Sequence, residues 1–242
     1  MVNIGGTNTG NERRGLSFLV FVGIIGFSIA RAIATFFTNY LWFDSVDLNS
    51  VWIKILLTKS ILVAATSLLA FAFIFINLRL AVRATPVMDI FESFESQDPL
   101  TRFREFFNER FLKYRLWGAI GLSLFLGAGA SQLWEQVLLF INQKSFGVAD
   151  PVFQYDVASY VFGLPLYRLF VSWGFQLVIF TSFIIILFFI ATGALQLRQG
   201  RLPEVSSGAK AHLSVLLAFV AVLKAFAYRL DSMELLYSPR GK

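Results

Sequence analysis

The chain has 242 residues, 57% of them hydrophobic and only 15% charged, with a formal net charge of +6 and a mean hydropathy of +0.67. So apolar a composition belongs to a bundle solvated by lipid, and the excess of basic residues, gathered in particular loops, is explained by membrane topology without a nucleic-acid partner. With no cysteine and one histidine, His212, the chain excludes disulfides, thiolate metal or iron–sulfur sites and haem held by two histidines.

Five apolar stretches run along the sequence: Gly15 to Thr38, Ile55 to Leu78, Leu116 to Ile141, Leu166 to Leu195 and Leu213 to Leu230. Each supplies about the 20 residues that cross roughly 30 Å of hydrocarbon as an α-helix. The predicted fold is all-α: one polytopic transmembrane domain over residues 1–242, with five spans and two amphipathic helices between the second and third.

The tail before the first span carries Arg13 and Arg14, whereas the following loop, Trp42 to Ser50, holds Asp44 and Asp47 and no basic residue. The positive-inside rule therefore places the amino terminus in the cytoplasm. Arg13, Arg14 and the Ala30, Arg31, Ala32 sequence also imitate a signal peptide with its cleavage site. The apolar run continues through Ile33, Phe36 and Phe37, and a retained anchor is the simpler reading.

Residues 85–114 form a cytoplasmic elbow containing two helix-start signals, Thr85 before Pro86 and Asp98 before Pro99. After the first, Val87, Ile90, Phe91 and Phe94 recur at helical spacing; after the second, Phe103, Phe106, Phe107, Arg110 and Tyr114 do so. A helix pair on the membrane surface and a hairpin packed beneath the bundle both fit this pattern. The whole loop after the second span, from Arg79 to Arg115, holds seven basic residues, the loop after the third span only Lys144, and the loop after the fourth Arg198, Arg201 and Lys210. Basic density alternates, and five spans leave the carboxyl terminus outside.

In the third span Ala119, Ser123, Gly127, Ser131 and Glu135 follow every four residues, a small-residue face for packing against protein. An ionised Glu135 facing lipid is costly, so it is expected to turn inward or toward a polar opening, with Arg31 of the first span the better-suited partner over Lys59. In the fifth span Lys224, Tyr228 and Asp231 share a stripe at spacings of four and three. That stripe reads either as a polar relay or, more simply, as a structural ammonium bonded to carbonyls or to a carboxylate on another span. His212, at the inner end of this span, is expected to be an interfacial residue. Neither a phosphate-binding loop nor a zinc-protease or serine-hydrolase motif is present, and an enzyme is not expected. The 28 Phe supply lipid-facing bulk and leave room for a bound lipid or pigment that nothing specifies.

The outer loop, residues 142–165, is patterned beyond the needs of a connector: Phe146, Gly147, Val148, Asp150, Pro151, Phe153, Asp156, Tyr160, Phe162, Leu164, Pro165. Together with Trp42, Phe43, Ser45, Val46, and with Ala211, His212, Leu213 and the run through Lys224, Tyr228, Asp231, Glu234 and Tyr237 to Ser238, Arg240, Gly241, it resembles the amino-terminal membrane region of the bacterial Uncharacterised Protein Family 0182. The resemblance implies a bacterial inner-membrane protein whose residues after Leu230 lie outside. It implies no activity. Family members are typically much longer, with further spans and a large outer domain, so the chain is expected to be a fragment or a short relative.

Two functions follow. The first is a non-catalytic membrane subunit or anchor in contact with lipid and other membrane subunits, docking a partner or a missing outer domain through the outer loop, at Asp150, Pro151, Phe153, Asp156, Tyr160 and Pro165, and through its small-residue helix faces. The alternative is a transport or channel component with a polar path through Lys224, Glu135 and Arg31.

Overall fold

The computed structural model describes the backbone over residues 9–85, 99–196 and 204–237 and side chains over 18–85, 113–196 and 204–236. The first predicted amphipathic helix, on Val87 to Phe94, lies outside the described residues, as do the side chains of Phe103 to Arg110 and the Ser238 to Gly241 motif. Five helical segments, Phe18–Ser45, Asn49–Ala84, Lys113–Ile141, Ser159–Ala191 and Ser207–Glu234, are long and apolar enough to cross a membrane. The chain forms two compact units, divided between Leu57 and Thr58.

The first unit contains α1 (Thr9–Ser45) and the opening turns of α2 (Asn49–Ala84). Helix α1 outruns its expected end at Thr38 because the sequence up to Trp42 and Phe43 stays apolar and has no helix breaker. Asp47 then turns the chain at φ 57, a left-handed conformation that Asp tolerates, and Leu48 donates to the Phe43 carbonyl at 2.9 Å. Trp52 at the start of α2 lies edge-on to Phe36 and Tyr40 of α1, with ring centroids 5.1 and 5.3 Å apart.

In the second unit, α2 presents Thr66, Ser67, Ala70, Ile74, Asn77, Leu78 and Ala81 as one buried stripe at spacings of three and four. Helix α3 (Pro99–Ala128) starts at the proline of the second cap signal and runs without interruption from the elbow into the third span. That span is not the single helix expected over Leu116 to Ile141. It tightens into a 3₁₀ turn over Gly129–Leu133 before α4 (Trp134–Ile141). Three local causes act together: Gly127 and Gly129 weaken the helix, the Ser131 hydroxyl bonds back to the Ala128 carbonyl at 2.8 Å, and the Trp173 indole takes the Leu126 carbonyl at 3.2 Å.

The 3₁₀ turn changes which residues share a face. At three residues per turn, Ala130 follows Gly127 onto the packed side and is 2% exposed, while Ser131 is half-buried and Glu135 exposed. Ala119, Ser123 and Gly127 remain buried as the every-fourth pattern predicts. At Gly127 the helices touch: a Cβ there would collide with the Ser67 hydroxyl and lie 2.9 Å from the Ser67 Cα, so only glycine fits.

A π turn over Ser159–Gly163 leads into α5 (Leu164–Ala191), with the Leu164 amide donating five residues back to Ser159. Pro165 has no amide hydrogen to continue an ordinary ladder there, so the wide turn precedes it. Helix α5 stops four residues before the expected Leu195 because Gly193 takes φ 76 and closes the helix end. A two-residue strand, β1 (Leu195–Gln196), pairs antiparallel with β2 (Glu204–Val205), and Ser206 caps α6 (Ser207–Glu234) by accepting from the Ala209 amide. Gly208 permits a close approach, since a Cβ there would strike the Ala84 carbonyl at the end of α2. The core joins Ala70, Ile74 and Leu78 to Leu126, Leu177, Ile185, Phe188, Phe189 and Leu216.

Candidate interaction surface at the loop end

The 142–158 loop and the ends of α5 and α6 meet at one end of the second unit; the β1–β2 hairpin marks the other. Two carboxylates organise the loop. Asp150 accepts from the Val152 and Phe153 amides, both at 2.8 Å, from the Tyr155 amide at 3.1 Å and from the Tyr160 hydroxyl at 2.6 Å. Asp156 accepts from the Ser145 hydroxyl, from the Phe146 and Gly147 amides, both at 3.1 Å, and from the Ala158 amide at 2.7 Å. An antiparallel bridge between Ala149 and Asp156 closes the loop, with positive φ at Gly147 and Gln154.

Such donor shells favour the charged carboxylates. For Asp150 partial desolvation pushes upward but is outweighed by Tyr160 and the three amides, which hold the carboxyl at about 2 against 3.8 ordinarily. For Asp156 the Ser145 hydroxyl and then the backbone amides bring it to about 2. Both side chains are therefore spent on the loop's own fold, while several apolar side chains of the loop stand out: Phe146, Val148, Val152 and Tyr155 are 53, 60, 63 and 40% exposed. Phe153 is half-buried beneath Arg229, whose guanidinium lies 4.8 Å from its ring centroid and reaches the Tyr155 hydroxyl at 3.4 Å. Pro151 sits exposed at the turn, whereas Tyr160 and Pro165 belong to the helical entry of α5 rather than to the loop.

Arg168 joins α5 to α6. Its Nε donates to Glu234 at 3.0 Å, and its Nη2 lies 2.7 Å from both Asp231 and Glu234. Sequence reasoning did not assign Arg168 this role. The available signal is Asp231 and Glu234, three residues apart at the end of one span, facing an arginine in the first turn of another.

Asp231 is thus committed to Arg168, and the stripe with Lys224 and Tyr228 divides. The Lys224 ammonium lies 4.5 Å from the Tyr228 ring centroid, and both side chains are exposed on their unit. Glu135 lines an open, mainly apolar groove of about 470 Å³ at the loop end, with Trp134, Leu138, Leu139, Lys144 and Phe146. Lys59 stands over the Trp134 ring, 5.4 Å from its centroid. Arg31 is exposed on α1 in the first unit.

His212, expected at the interface, packs inside its unit: it is 8% exposed, edge-on to Phe189, and its Nε2 lies 3.0 Å from the Asn77 Oδ1. The Asn77 amide donates to the Phe73 carbonyl at 2.8 Å, which leaves its oxygen as acceptor and makes Nε2 the protonated nitrogen. Nδ1 is buried with no partner among the described residues. The described residues contain no group of three or more His, Asp or Glu placed to hold a metal.

These features define an α-helical protein with five helices of membrane-crossing length and apolarity, and with a self-bonded loop fastened to the ends of two of them. The chain belongs to the uncharacterised protein family UPF0182, whose model matches residues 16–242. It is 35% identical over 206 residues to a UPF0182 protein of Rhodococcus jostii (strain RHA1), covering 84% of this chain and 21% of that one. Against UPF0182 proteins of Mycobacterium tuberculosis (strain H37Rv) and Nocardia farcinica the identities are 37 and 34%, each over 84% of this chain and 20% of the relative. The chain therefore spans about a fifth of the length of the curated relatives it matches. No solved structure matches it.

Proposed function

We propose that the chain is a non-catalytic, multi-pass subunit or anchor of the bacterial inner membrane, with its amino terminus in the cytoplasm and its carboxyl terminus outside. It docks a partner protein, or the outer part of the longer family polypeptide, through the 142–158 loop. The observation carrying this reading is that both loop carboxylates are fully engaged internally while Phe146, Val148, Val152 and Tyr155 stand exposed around them. Internal bonding makes the loop a preorganised platform, and preorganisation lowers the ordering cost of association. The apolar side chains supply contact area just beyond the helix ends. Arg31 and Glu135 remain a proposed pair. A transport path through Lys224 draws no support from its exposure on the surface of its unit.

Gentle detergent purification tests the reading. Changing Phe146 and Val152 together to serine should release co-purifying protein while the helices and the loop's protease resistance are retained. Full recovery of the complex would overturn it. Orientation is checked by fusing a reporter active only in the cytoplasm after Gly200 and after Lys242, with activity expected at the first site alone.

A further inference from the structure

Among the described residues of the second unit, α6 is packed on one side. Ala209, His212, Leu216, Ala227 and Leu230 are buried, whereas Ser214, Ala218, Ala221 and Ala225, stepping by four, three and four, lie exposed beside Lys224. Small residues at this spacing form a shallow groove into which a second helix backbone can settle. Lys224 borders that groove ten residues before Glu234, about 15 Å along the axis, and its ammonium extends toward Tyr228. Among the described residues no ion pair to it is found, and the carboxylates at the end of its own helix, Asp231 and Glu234, are held by Arg168. An ammonium at such depth is costly unless a counter-charge meets it, and the ring of Tyr228 supplies only a partial one.

We propose that the Lys224 face of α6 seats a further membrane helix that presents a carboxylate to the ammonium at that depth. Charge complementarity selects its chemistry and the small-residue groove its shape. About four fifths of each curated relative's length lies outside the matched region, which is where the family polypeptide would carry this helix. The proposal rests on the membrane-anchor reading and extends it from the loop to the helix face.

The absence of native cysteine allows one dye to be placed at Lys242→Cys, and energy transfer can then be measured in phosphatidylcholine vesicles to a labelled transmembrane Leu/Ala peptide. Three peptides are compared, with a single Glu, Gln or Leu at the matching depth. The Glu peptide should associate about fivefold or more tightly than the Leu peptide, the range expected for a strong polar contact between membrane helices. Lys224→Met should abolish the preference, and Lys224→Arg should keep it. Equal association of all three peptides, meaning that the lysine merely extends to the interface, would overturn the proposal. So would a Glu preference that survives Lys224→Met, or self-association of the chain lost in both Lys224→Met and Glu135→Gln, which would assign the face to a second copy. Failure of the peptide test leaves complex release by the loop variant unchanged, so the two readings fail separately.

Discussion

Three glycines on α3 make a controlled test of how closely the second and third spans approach. A Cβ added at Gly118 or Gly121 meets no heavy atom within 4 Å, whereas one at Gly127 collides with the Ser67 hydroxyl and comes within 2.9 Å of the Ser67 Cα. The obstacle includes backbone, so rotating a side chain does not relieve it; α2 and α3 must separate, at a cost of about 1–3 kcal/mol typical of overpacking. Alanine regains up to about 1 kcal/mol of helix propensity at all three sites. Gly118→Ala and Gly121→Ala should therefore be neutral or stabilising, and Gly127→Ala destabilising by roughly 0.5–2 kcal/mol. Steric-trap unfolding in bicelles, or thermal unfolding in mild detergent, ranks the variants. Adding Ser67→Gly to Gly127→Ala should recover part of the loss, since it removes the hydroxyl and Cβ but not the Cα. If Gly127→Ala is as stable as Gly121→Ala, the helices do not meet at this point.

Other perturbations have equally defined outcomes. Replacing Arg168 with Met should cost about 1–2 kcal/mol, limited by the partial exposure of all three charges, and a double-mutant cycle with Asp231→Asn should show coupling that salt weakens. Asn77→Leu should cost about 1–3 kcal/mol by leaving the His212 ring without its acceptor, while Asn77→Leu with His212→Phe should recover most of it, measured by the same unfolding assays. The loop carboxylates sit at about 2 when folded and near 3.8 when unfolded, so the unfolded loop binds more protons in between. Their contribution is complete above pH 4 and is lost as pH falls through about 2. Protection of the Val152, Phe153 and Tyr155 amides, taken relative to their intrinsic exchange rates, should fall over that window, and Asp150→Asn should remove most of the dependence at those amides.

Hydropathy made the five long helices legible, because nothing but length and apolarity was needed to find them. Their ends depended on local chemistry. Gly193 was readable as a stop signal within the predicted Leu166 to Leu195 run, yet apolar residues on both sides masked it. The 3₁₀ turn was hidden for a different reason: reading Ala119 through Glu135 at four-residue steps assumes one uninterrupted pitch, and the donor that helps break it, Trp173, comes from another helix. The roles of Arg168 and His212 were not legible because each rests on a partner 63 or more residues away. By contrast, the pattern of Asp, Pro, Gly and Tyr between Phe146 and Tyr160 marked the loop as more than a connector. Its carboxylates were read as facing outward, since the sequence alone did not reveal how many of the loop's amides converge on them.

The distances in sequence between bonded groups also imply an order of assembly. Every hydrogen bond to Asp150 and Asp156 comes from within 11 residues, whereas the contacts of Arg168 and Tyr155 with α6 span 63 to 74. Short closures cost less chain entropy and form sooner. During synthesis the loop can acquire its shape before α6 has been made. Arg229 and the Asp231–Glu234 pair then meet a template already in place, so that the loop can guide the docking of α6.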